Sequence, residues 1–193
     1  MDKDVKPYKQ RGNTCTIVCI MMVLEYYKKI EKANWYDERK LYKKYSSKYL
    51  AGTPFSAATF ELSKKGLNTI LFHSVKEIFT NKNRVMNDDV FELALREYKE
   101  YIDVAKKVGT KVINGIEINS DFIKEELNKD NLVILAGELI GGYHSILITG
   151  YNNDNFIVCD PLYKDKQLGK KEELEEFMDT KIGKWCISVK SDN

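Results

Sequence analysis

Two histidines and three prolines are all that the 193 residues contain. No apolar run approaches the roughly 18 residues that a membrane-spanning helix requires, because the best one, over 16–24, stops at Glu25. The first six residues, Met-Asp-Lys-Asp-Val-Lys, hold no apolar core of signal-peptide length. A cytoplasmic protein without a membrane contact is therefore expected. Charge is equally unhelpful to an anionic partner: 31 Lys and Arg stand against 29 Asp and Glu, a net of +2, which leaves no strong field for nucleic acid. Lysine pairs such as Lys28–Lys29 and Lys106–Lys107 read as solvated helix faces. The four cysteines form no C-x-x-C, and His73 has no second ligand at ligand spacing. No metal or other cofactor is expected, although Cys15 and Cys19 share a helix face. In a reducing compartment the thiols stay free. Repeats, low-complexity tracts and linkers are missing too, so one domain over 1–193 is expected.

Periodicity suggests the elements. Asn13 or Thr14 is placed to cap a helix over about 15–30, whose wide apolar surface marks it as central and buried. Helices are expected at 35–45 and 56–65, the latter started after Pro54 and stopped at Gly66. A short strand at 68–73 precedes the polar stretch Thr80-Asn-Lys-Asn-Arg, a long helix over 88–107 and a strand at 111–113. A helix at 120–127, capped by Asn119 or Ser120, leads into an apolar strand at 132–136. A hairpin turning at Tyr151-Asn-Asn-Asp-Asn follows, then a helix at 172–179 and an alternating strand at 184–190. Helices come first and mostly antiparallel strands later, which argues α+β rather than a doubly wound parallel sheet.

One of the two histidines sits where a cysteine enzyme requires it. His144 opens the strand Gly-Tyr-His144-Ser-Ile-Leu-Ile-Thr-Gly-Tyr, and Asp160 closes its hairpin partner just before Pro161. A hairpin brings the ends of its strands together, so His144 and Asp160 can meet. Cys15 stands at the head of the first helix. A free thiol titrates near pH 8.5, but an imidazole and a helix N-terminus both favour the thiolate, and an acid behind the imidazole orients it. Singly, each residue has a plainer explanation: a small buried hydrophobe, a satisfied strand histidine, a turn aspartate, a solvated Gln10. Together, Gln10, Cys15, His144 and Asp160 are the parts of a nucleophilic acyl chemistry. The nucleophile lies on the helical half and the base on the sheet half, with a cleft expected between them.

The block Gln10…Cys15-Thr-Ile-Val-Cys19-Ile-Met-Met-Val-Leu-Glu-Tyr-Tyr, with His144…Gly150-Tyr…Asp160-Pro161, resembles the papain-like cysteine peptidases that remove double-glycine leaders from bacteriocin precursors. The resemblance implies a papain-like fold with Cys15 as nucleophile, His144 as base, Asp160 orienting the imidazole and the Gln10 side chain in the oxyanion hole. It covers both ends of the chain and leaves 75–110 as a helical insertion. Two positions depart from the pattern: Thr16 stands where glycine is usual, and Gln10 precedes the cysteine by five residues, one fewer than usual.

Leader peptidases of that kind are usually fused to a transporter. A free-standing relative has other options, because an acyl-cysteine can be resolved by water or by an amine. The first expectation is therefore acyl transfer from an acyl carrier protein thioester to an amine acceptor, as in the similar amide-forming enzymes of closthioamide-type assembly. The alternative is a peptidase acting on a peptide substrate, and the third reading is a catalytically silent binding module. The 75–110 insertion, with its long helix and the pair Tyr98 and Tyr101, is expected to cover the cleft and help shape an acyl or amine pocket, with plain packing of an amphipathic helix as the alternative.

Overall fold

The computed structural model describes residues 2–76, 88–139, 142–180 and 182–191. The polar stretch at 80–84 lies outside them. The chain orders as α1 (Cys15–Tyr26), α2 (Trp35–Tyr45), α3 (Phe55–Lys64), β1 (Leu67–His73), α4 (Asp88–Lys107), β2 (Lys111–Asn114), α5 (Ser120–Asn128), β3 (Leu132–Leu139), β4 (Gly142–Asn152), β5 (Asn155–Cys159), β6 (Gln167–Lys170), α6 (Lys171–Met178) and β7 (Trp185–Ser191). The strands form one sheet in the order β2-β1-β7-β3-β4-β5-β6. Every neighbouring pair is antiparallel except β1 with β2, which is parallel. The α+β expectation holds.

The sheet carries a core on each face. On one, α1, α3 and α4 pack against Leu71, Ile134, Leu147, Ile187 and Val189. On the other, α5 and α6 pack against Val133, Leu135, Ile146, Ile148 and Phe156. Every residue of α1 from Thr16 through Leu24 is buried. At about 1.5–3 kcal/mol for each large apolar side chain removed from water, this helix is the most heavily anchored in the chain. Its end differs from expectation, at Tyr26 instead of residue 30. Lys28 adopts a left-handed backbone (φ 55°), with Lys28 N–H bonded to the Glu25 carbonyl and Lys29 N–H to that of Leu24. That is a Schellman closure made by a lysine where glycine is usual. β6 was not foreseen: it is a four-residue edge strand with a half-exposed pattern, too short and too polar to announce itself.

The helix α4 bears on a second expectation. Tyr98 is buried against His73 and Trp185, and Tyr101 packs edge-on to Tyr45. Tyr98 and Tyr101 of α4 thus take the packing role that was the alternative. No described helix is long and apolar enough to cross a membrane.

Candidate active site

Three of the four expected residues meet at the seam between α1 and the β4–β5 hairpin. The register pairs Leu147 with Cys159, so Asp160 follows at the level of Ile146, diagonal to His144 and on the same face. His144 Nε2 lies 2.8 Å from Asp160 Oδ1. The same carboxylate oxygen accepts the Leu162 N–H at 2.8 Å, and the Asp160 carbonyl accepts from Tyr163 N–H at 2.9 Å. Asp160 is therefore both turn residue and imidazole partner, the turn holding the carboxylate in place. With Nε2 engaged, Nδ1 is the nitrogen left to face Cys15, the thiol that His144 lowers.

The charges follow from this arrangement. Burial by itself pushes the Cys15 thiol up, but the hydrogen bond and charge of His144, joined by the Ser145 backbone and hydroxyl, outweigh it and leave the thiol below its ordinary value. Burial likewise disfavours the imidazolium, yet the hydrogen bonds to Asp160 and Cys15 raise His144 to about 9. The other thiols move the opposite way. Burial pushes Cys159 up to about 12 and raises Cys19 and Cys186 well above the usual range. Cys15 is thus the thiol whose surroundings favour the thiolate. The pair titrates as a unit, which sets the expected pH profile. Activity should rise on an acid limb below the ordinary thiol value as the thiolate forms. It should fall as pH passes about 9, where His144 loses its proton. Rates of Cys15 alkylation and of turnover measured across pH check this, and an acid limb at or above 8.5 would contradict it.

Position 16 acquires a reason. The hydroxyls of Thr16 and Ser145, both buried, lie 2.8 Å apart, and the Cys19 thiol donates to the Ser145 carbonyl at 3.5 Å. Successive contacts along α1 thus fasten the helix to the residue after His144. Thr14 does not cap the helix with its side chain. Its hydroxyl donates instead to Glu38 Oε1 at 2.5 Å, so the first-turn N–H groups stay without a side-chain cap beside the thiol. Positive helix-end potential is left to act there.

Gln10 is tied in through its backbone, its N–H donating to the Pro161 carbonyl at 2.8 Å. Its side chain makes no hydrogen bond to Cys15 or His144, and its Oε1 is buried without a partner. His73 stands apart, buried between Asn114 (2.8 Å) and the Tyr98 hydroxyl (2.7 Å). Among the described residues no cluster of three or more His, Cys, Asp or Glu forms a metal-binding set. Glu38 and Ser145 escaped sequence reasoning, and Thr16 stood out there only as a departure from the family pattern.

The other face of the imidazole rests on Phe177 of α6, edge-on with centroids 6.4 Å apart. This depends on Gly137, the cross-strand partner of His144. A Cβ there would fall 2.3 Å from the Phe177 carbonyl and 2.4 Å from its ring. Gly137→Ala should push α6 outward, costing about 1–3 kcal/mol as overpacking does and lowering Tm by several degrees. Activity should fall further than stability, because His144 loses its support. Thermal unfolding and turnover measured on one preparation check it, and unchanged Tm would refute the contact.

A papain-like fold with a cysteine heading its central helix and a histidine–aspartate pair on the facing hairpin defines a class of cysteine-nucleophile enzymes. A family model described as the Peptidase_C39 like family matches residues 2–186, and the chain belongs to that family. Among solved structures, the peptidase domain of Streptococcus ComA, a bi-functional ABC transporter of a quorum-sensing pathway, superposes with a TM-score of 0.53. Identity is 13%, over 97% of this chain and 99% of that one. A proposed C39-like peptidase from Bacillus anthracis gives a TM-score of 0.50 at 13% identity, over 99% and 96% of the two chains. At such identity the likeness shows the fold alone. No curated protein matches the chain.

Proposed function

We propose that the protein is a cysteine peptidase in which Cys15 is the nucleophile, His144 the acid and base, and Asp160 the residue that orients His144. The observation that carries this reading is the Cys15–His144–Asp160 line, with its thiol held low and its imidazole held high. The Cys15 thiolate adds to a peptide carbonyl carbon, and the carbonyl π pair moves to oxygen. The oxyanion is met by the Cys15 N–H and, after the Gln10 amide turns, by its NH₂. As the C–N bond breaks, His144 Nδ1–H protonates the leaving amine. Neutral His144 then takes a proton from water as its oxygen attacks the thioester. Collapse of the second tetrahedral adduct releases the acid, restores the thiolate and leaves His144 protonated. A recess of about 500 Å³, lined by Pro7, Tyr8, Lys9, Gln10, Arg11 and Lys164, gives a substrate chain room on the Gln10 side.

Hydrolysis displaces acyl transfer as the preferred reading because family membership favours a peptidase. The test offers a peptide library, including Gly-Gly sequences, and separately an acyl thioester with and without a diamine, followed by mass. Peptide cleavage with free-acid products supports the peptidase. Amide formed from the thioester in preference to acid would instead establish the transferase, with a carrier protein as partner. Neither product, from protein whose Cys15 is intact, would favour the silent binding module.

A further inference from the structure

We infer that Glu38 is a positioning residue for the oxyanion site, holding the loop between Gln10 and Cys15 in its working shape; the inference rests on the nucleophilic role proposed for Cys15. Glu38 is fully buried, although α2 is otherwise mostly exposed and buries only one other side chain, Tyr45. A carboxylate so placed is costly unless hydrogen bonds hold it. Its Oε1 accepts two, from the Arg11 N–H at 3.0 Å and the Thr14 hydroxyl at 2.5 Å. Arg11 immediately follows Gln10 and Thr14 immediately precedes Cys15, so one oxygen joins both ends of the loop.

The same helix grips the loop a second time. The Arg11 guanidinium lies over the Trp35 ring, 5.5 Å from its centroid, and Trp35 and Glu38 are neighbours one turn apart. Arg11, Gly12 and Asn13 are exposed, and a side chain at Gly12 would meet nothing within 4 Å. The course of the loop is fixed by these anchors and by the bond from Gln10 N–H to the Pro161 carbonyl. The orientation of the Thr14–Cys15 peptide sets where the Cys15 N–H points. Thr14 is held by Glu38, and Gln10 adjoins Arg11. Glu38 thereby governs both oxyanion donors without touching the reacting atoms. It is absent from the groups that set the ionisation of Cys15, so the two functions separate.

That separation provides the test. Alkylation by iodoacetamide needs the thiolate but no oxyanion site, whereas acylation by p-nitrophenyl acetate needs both. Glu38→Gln keeps the shape and weakens both charge-assisted bonds. It should leave the iodoacetamide rate within about twofold of wild type and reduce the p-nitrophenolate burst rate about 10- to 100-fold, on the scale of a lost oxyanion donor. Thr14→Val, which removes the second contact from the other side, should do the same, so the inference stays testable if Glu38→Ala does not fold. Because Glu38 acts through the loop, its substitution in a Gln10→Ala background should cost less than the product of the single losses. An unchanged burst in Glu38→Gln, an equal loss of alkylation and acylation, or no burst from wild type whose Cys15 alkylates normally would each overturn the inference. Failure of wild type to cleave any peptide while the burst persists would overturn the peptidase reading alone.

Discussion

Cys15→Ala should abolish turnover, with a loss on the order of 10⁶ in rate when the wild-type signal allows it to be measured. Iodoacetamide labelling near pH 7 should disappear with it. The expectation follows from burial and charge together. Cys19, Cys159 and Cys186 are buried and their thiols are raised by that burial, so none offers a thiolate at neutral pH. Cys15 is the cysteine that is not fully buried, and it alone is held below its ordinary value. Cys19→Ala is the control. It removes a thiol donor to the Ser145 carbonyl but no reacting atom, so measurable activity should remain, with the stability cost of a small core truncation. Peptide mapping after alkylation reads the site directly. Activity surviving in Cys15→Ala and lost in Cys19→Ala would transfer the role to the second cysteine.

His144→Ala should fall nearly as far, because it removes the proton donor and the partner that lowers the Cys15 thiol. Its alkylation rate at pH 7 should drop as the thiol returns toward ordinary values, and raising the pH should recover much of it. Asp160→Asn is expected to be the more instructive variant. It keeps the shape of the turn and the Leu162 N–H bond, but the carboxamide no longer favours the imidazolium. Losses up to about 10⁴ accompany such a change where the acid sets the tautomer. The alkaline limb should also move below 9, since the Asp160 hydrogen bond is the leading influence that raises His144. A rate and profile equal to wild type would reduce Asp160 to a turn residue. His73→Asn, removing a ring that bonds only Asn114 and Tyr98, should change stability without touching the pH profile.

How much of this could be read in advance varies from element to element. The bounds of α2 were legible to the residue, because Asn34 caps it with its side chain (3.0 Å to Asp37 N–H), and α4 was legible as a long, strongly amphipathic helix. The hairpin was legible because β4 and β5 alternate around a polar turn. β6 was not, since a short edge strand needs neither apolar alternation nor buried side chains. The early end of α1 was hidden by the lysine at its left-handed closing position. Thr14 looked like a cap by residue type. It is drawn away by a carboxylate 24 residues later in the chain, and local rules cannot see such a competitor.

The sequence by itself determined that a cysteine heads a buried helix and that a histidine and an aspartate end two paired strands. Period and pairing are local properties, and a two-strand register brings i and j±2 together whatever surrounds them. Only the tertiary structure decided what those residues experience. The thiolate–imidazolium bias arises from burial opposed by contacts across the α1–β4 seam. The ring of His144 is backed by Phe177 because Gly137 lets α6 approach. The loop before Cys15 is held by Glu38, and α4 packs Tyr98 and Tyr101 against the core. Each of these is set by distances between segments remote in sequence, where desolvation and steric fit act and no periodicity records them.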